Sequence, residues 1–414
     1  MSAPARNAAL AAVALAALLA GGWSLVRPRP VLDRDRFDAL VAGRRFASAE
    51  GLLRAHLARA PRDPEAGYLL AELLLERPAS AGGVDEPGAR EALALLARVR
   101  PDSPRRAALA RMYEGKAHYR LARWTACEAA MLDARRLDPA VPEAGWVLLD
   151  LYYLQGRTRE AARLGLELHR VEPDPRDRAL LLLELVRQDA QPPDAASIVA
   201  QAEPVVAAEP DATRPPLTLG AALIRNSKIA DGLETLRAAV AAHPGAPEAW
   251  DSLLTGLDDA GQPEAVGTTL AGLPAALRDD ARFARHLARA AQDRADWPEA
   301  VRQYRRARAF DPADPMLVYR LARALRFARQ PAEADALARA HEAYKAALPD
   351  LKALYEEADA TPTLGVAPHP DLVARMADLR DRMLRPEEAR AWRTLPGGTD
   401  AATAPATATE EGHP

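Results

Sequence analysis

From about Asp33 to about Ala343, apolar residues recur at helical spacing in short runs, each broken by a proline or a glycine. Ala281 to Pro312 is the clearest stretch: Leu287 and Ala288 lie in one amphipathic segment, Trp297 stands at the break, and Ala300, Tyr304 and Ala307 lie in the next. Apolar positions three and four apart share one face of a helix, so the pattern predicts two helices joined by a tight turn. Small residues at Ala288 and Ala300 let the two approach closely, and Leu287 and Tyr304 fill the space between them. Prolines set the register. Pro139, Pro173, Pro210, Pro244 and Pro312 follow one another at 34, 37, 34 and 68 residues. Proline cannot continue a helix interior, so each marks the end of a helical pair.

The same residue types return at the same offsets in neighbouring stretches. Trp250, Leu253, Leu257, Gly261 and Leu270 form one copy; Leu219, Gly220, Leu223, Leu236 and Ala239 another; Leu148, Tyr152, Gly156 and Ala161 a third. Fainter copies carry Leu70, Ala71, Leu74 and Ala92, and Leu321, Ala322, Leu325 and Ala334. In this spacing the chain resembles the tetratricopeptide repeat family, over about 310 residues and about nine copies. The pattern departs from the family at Ile198, where a small residue is usual, and in the unit that breaks early near Pro274. The resemblance implies an all-α fold, a right-handed superhelical solenoid of antiparallel helix pairs with C-terminal capping helices, whose concave groove binds a protein or peptide.

Composition narrows the function. With 55 Lys+Arg against 58 Asp+Glu the net charge is −3, which disfavours a nucleic-acid binder and with it a pentatricopeptide array, whose groove would be basic. One cysteine, Cys127, excludes an internal disulfide and a Cys-rich metal centre, and on a second helix it reads as a packed small apolar residue. The eight histidines show no metal-ligand spacing, and there is no phosphate loop or nucleophile elbow. No catalytic residue, cofactor or metal is therefore expected, and the chain reads as a non-enzyme.

The uncharged stretch from Ala8 to Val26 makes about 28 Å of helix, enough to span a bilayer. It reads as a membrane anchor or a signal segment. The expected location is a bacterial-type inner membrane, single-pass, with the body exported rather than cytoplasmic, and a cleaved, secreted protein as the alternative.

First-helix positions expected to face the groove form three zones. Tyr68, Tyr119, Trp146 and Tyr153 are aromatic anchors in the early repeats, Tyr153 competing with Tyr152 for the inward position. Glu248, Asp251, Asp258 and Asp259 make a middle acidic zone; Arg282, Arg285, Arg289, Arg323 and Arg326 make a late basic one suited to an acidic segment. Residues 344–393 read as a capping helix, a Pro-rich linker and a short amphipathic helix that folds back; 394–414 read as a disordered tail. The expected function is a membrane-tethered, non-catalytic scaffold with a protein or peptide partner and no nucleic acid. The alternative is a substrate-recruiting or accessory subunit of an enzyme on a separate chain.

Overall fold

The computed structural model describes residues 31–76, 86–98, 100–139, 141–366 and 369–400. Among these there are twenty α-helices and no strand. They fall into two compact units divided between Arg106 and Ala107.

The first unit holds α1 (Arg34–Ala42), α2 (Phe46–Arg59), α3 (Pro64–Glu76) and α4 (Glu86–Leu96). Phe37, Ala49, Leu53, Ala66 and Leu70 form its core. Buried His56 bonds Asp63 at 2.7 Å. The other oxygen of Asp63 accepts from the Glu65 and Ala66 N–H groups and so caps the start of α3.

The second unit takes α5 (Pro104–Arg120) from Ala107 onward, then α6 (Trp124–Leu137), α7 (Pro142–Leu154), α8 (Thr158–Val171), α9 (Pro175–Ala190), α10 (Ala195–Ala208), α11 (Arg214–Arg225), α12 (Ile229–Ala242), α13 (Pro247–Asp259) and α14 (Pro263–Ala271). Two single-turn 3₁₀ segments then lead to α15 (Ala284–Asp293), α16 (Trp297–Phe310), α17 (Pro315–Phe327), α18 (Pro331–Asp359), α19 (Pro370–Arg382) and α20 (Pro386–Arg393).

A shared turn makes these helices pairs. Six first helices are followed by a residue in the left-handed region, at Ala122, Gly156, Ser227, Gly261, Ala295 and Arg329, whereas α9 ends on Gln191 at φ −139°. The N–H that follows reaches five residues back: Gln262 donates to the Leu257 carbonyl at 3.0 Å and Asp296 to Ala291 at 2.9 Å. This satisfies carbonyls that a helix end leaves without partners and turns the chain sharply enough for the second helix to run back along the first. Between α11 and α12 the approach is close, for a Cβ at Gly232 would lie 2.7 Å from the Gly220 carbonyl oxygen. The result is a tetratricopeptide-like helical-repeat fold, as the spacing predicts.

The end of the chain differs from a simple cap. α18 is one helix through Pro349, and α19 and α20 form a further hairpin with the same turn: Leu384 is left-handed and the Arg385 N–H donates to Arg380. α18 and α20 return to the middle of the unit and pack on α9, and α20 also touches α8. Leu395 is wholly buried, so packed chain continues beyond the expected boundary at 394. At the other side of the same return, the Arg159 guanidinium of α8 lies 3.7 Å from the centre of the Phe310 ring at the end of α16.

One expectation is corrected. The location in an inner membrane as a single-pass protein rested on an apolar span, and no helix among the described residues is long and apolar enough to cross a membrane. The run from 8 to 26 that suggested it lies outside the described residues, as does the stretch from 401 to 414.

Candidate functional site

Asp251 on α13 and Arg285 on α15 are 34 residues apart, one period, and so hold equivalent positions on successive first helices. This brings the expected acidic and basic zones together. Arg285 on α15 donates to Asp251 on α13 at 2.8 Å and to the Thr255 hydroxyl at 2.8 Å. Arg289 donates to Asp258 at 2.9 Å, and Arg282 stands 3.6 Å from Glu248. Between them His286, 1% exposed, places Nδ1 2.9 Å from Asp258 and Nε2 3.3 Å from Asp251. Burial pushes both carboxyls up, but His286 and the two arginines outweigh it and hold both below the ordinary carboxylate value. Three of the five predicted arginines are thus tied to the preceding repeat. Metal-ligand spacing does not reveal His286, whose useful separation is the 35 residues to Asp251, about one repeat.

On α17 the arginines behave differently. Arg326 pairs with Asp335 at 3.2 Å in an exposed contact. Arg323 is exposed, with its guanidinium 6.0 Å from the centre of the Phe327 ring and no carboxylate partner among the described residues.

The early aromatic residues do not gather. Tyr68 belongs to the first unit, partly buried against its core. Tyr119 is 39% exposed on α5, and Trp146 is half-buried on α7. Tyr153 is buried, and so is its rival Tyr152. Burial and the charges of Glu184, Glu388 and Asp189 push the Tyr153 hydroxyl far above its usual value.

An aromatic surface that sequence reasoning did not single out lies on α17 and α18. Met316, Tyr319 and Phe327 are 47%, 45% and 53% exposed, and Leu348 is 43% exposed. Phe327 stacks on Trp297 with ring centres 4.3 Å apart; Tyr319 lies 5.3 Å from His341, which lies 6.3 Å from Tyr344. Met316, Tyr319 and Phe327 are thus exposed along one helix, which also carries Arg323 near the Phe327 ring. Met316, Tyr319 and Arg323 fall at i, i+3 and i+7, a signal the sequence carried; apolar residues at that spacing read first as core.

No group of three His, Cys, Asp or Glu side chains among the described residues is placed to hold a metal ion. No family model matches the chain, and no curated protein does. Solved structures are similar to it at low identity, among them the following three. The APC/C hetero-tetramer Cut9–Hcn1 matches at 12% identity and TM-score 0.38, covering 86% of this chain and 74% of that one. A monomeric mutant of IFIT1 with Gppp-AAAA matches at 11% and 0.35, covering 79% and 88%. The P58(IPK) TPR domain matches at 15% and 0.23, covering 72% and 97%.

Proposed function

We propose that this protein is a non-catalytic interaction scaffold that holds a segment of a partner protein along α17 and α18. The observation that carries the reading is the exposed row of Met316, Tyr319 and Phe327, continued by Leu348 on the adjoining helix. Large, rather rigid side chains gain much buried area on association for little lost rotamer freedom, which is why they anchor interfaces. Arg323 stands beside them with no carboxylate partner among the described residues and supplies a charge-assisted contact for an acidic side chain. Arg282, Arg285 and Arg289 give that segment less, because their donors already serve Glu248, Asp251 and Asp258. An enzyme on a separate chain is one kind of partner this surface would serve.

The test is capture from a lysate of the source cells with the full chain as bait, wild type beside the variant Met316→Ala/Tyr319→Ala/Phe327→Ala. All three side chains are about half exposed, so the variant should fold. Each anchor should contribute about 1 to 2 kcal/mol to binding, so the partner should be lost from the variant's eluate. Equal capture by both proteins would refute the reading.

A further inference from the structure

Where the last hairpin returns to α8 and α9, a cavity of about 310 Å³ remains. Its charged walls come from separate elements: Arg159 from α8, Asp189 from α9, Asp311 and Asp314 from the link before α17, and Arg385 from the turn before α20. Tyr344 of α18 forms an aromatic side, with Pro315 and Met383 as apolar neighbours.

These charges differ in how far they are satisfied. Asp189 is fully engaged, one oxygen accepting from Arg380 at 2.8 Å and the other from Arg385 at 3.0 Å. Among the described residues the ion-pair partner of Asp311 is the Arg159 Nε, at 3.7 Å, beyond hydrogen-bond reach. Arg159 gives one N–H, from Nη1, to the Phe310 carbonyl at 3.4 Å and lays its face on the Phe310 ring. Asp314 uses one oxygen, Oδ1, to cap α17 through the Met316 and Leu317 N–H groups. Arg385 also reaches Glu388 at 3.5 Å, but a guanidinium has five N–H groups, so acceptor capacity remains on Asp311 and Asp314, and donor capacity on Arg159 and Arg385, around one space. Burial pushes the Asp311 carboxyl up and the Arg159 guanidinium down from their ordinary values, as it does for charges that lack full compensation.

We infer that this cavity binds a small zwitterion of the α-amino acid class, its ammonium held by Asp311 and Asp314 and its carboxylate by Arg159 and Arg385. The choice follows from charge balance. A lone cation would answer the two carboxylates but add positive charge beside two arginines, and a lone anion would do the converse. A zwitterion answers both signs and brings no net charge into a half-enclosed space, where uncompensated charge is costly. Tyr344, Pro315 and Met383 then receive its side chain. At roughly 30 Å³ per water the empty cavity takes about ten waters, and the ligand displaces several of them. This site adjoins the partner surface, through Tyr344 and the start of α17, but the inference does not rest on that reading.

Thermal melting of the full chain with each of the common L-amino acids at millimolar concentration tests the inference. At least one should raise the melting temperature, because a ligand that binds only the folded state stabilises it. Titration calorimetry then compares the best binder with its two halves, the amine lacking the carboxylate and the acid lacking the amine; each should bind at least about tenfold more weakly. Asp311→Asn and Asp314→Asn should each weaken binding about tenfold. Asp314→Asn is the safer variant for folding, since Asn caps a helix as well as Asp does. The inference is overturned if no amino acid shifts the melting temperature, if either half binds as tightly as the whole, or if Asp314→Asn binds like wild type.

Discussion

Asp251, His286 and Asp258 show how a single residue serves a repeat array. The histidine is buried between two carboxylates from the preceding first helix, and Arg285 and Arg289 close the cluster from the solvent side. Both carboxyls lie below the 3.8 they have without neighbours. A carboxyl whose folded value is depressed binds its proton less tightly folded than unfolded. The stability it contributes is complete above the unfolded value and is lost as pH falls through the folded one. Asp258→Asn should therefore be less stable than wild type at neutral pH, and the gap should close as pH drops below about 4. Urea denaturation across that range is the measurement; a gap constant with pH would show that the ion cluster contributes nothing specific. Four of the five residues, Asp251, Asp258, Arg285 and Arg289, are legible in the sequence but as two separate zones, and His286 belongs to neither, because zones are defined along the chain and the pairing runs across one repeat. Tyr153 failed in the opposite sense: nothing local marked it for burial, since Arg385 and Glu388, whose charges act on it, come from more than 200 residues downstream.

At the scale of the helix pair, most of the fold was legible. Prolines, small residues and apolar spacing are local signals, and the turn they imply is built from local hydrogen bonds. The turn also tolerates what sequence rules disfavour. Gly156 and Gly261 occupy the left-handed position without strain, whereas Ala122, Ala295 and Arg329 adopt it with a Cβ. For an L-residue that conformation costs about 1 kcal/mol or more, and the repeat geometry enforces it. Ala295 has φ 55° and is exposed, so no packing depends on its methyl group. Ala295→Gly should raise stability by up to about 1 kcal/mol, part of the gain being offset by the freer unfolded chain, and Gly261→Ala should lower it by a similar amount. Thermal melting of the two variants checks both signs. The α19–α20 hairpin was half legible: Leu372, Met376 and Leu379 announced the first helix. The second has eight residues, too short for its pattern to stand out from the tail.

In the second unit as a whole, contacts close over long separations, and this was the part least available from sequence. Arg380, wholly buried, donates to Glu388 at 2.8 Å within its own hairpin and to Asp189 at 2.8 Å on α9, 191 positions away. A repeat array held by neighbours alone would pass a local defect only to the next pair. Here the closure predicts otherwise. Arg380→Met leaves Glu388 buried without its main partner and Asp189 with one arginine in place of two. Breaking a buried pair from one side typically costs about 3 to 5 kcal/mol. Amide exchange should then speed up in α19 and α20 and also in α9, while α12 to α14, distant from the closure in the chain, keep their protection. If only α18 to α20 lose protection, the return to α9 is a passive contact and the unit behaves as an open array. If α9 loosens with them, the last hairpin holds the middle of the unit together, and the polar cavity between them depends on the same ion pairs.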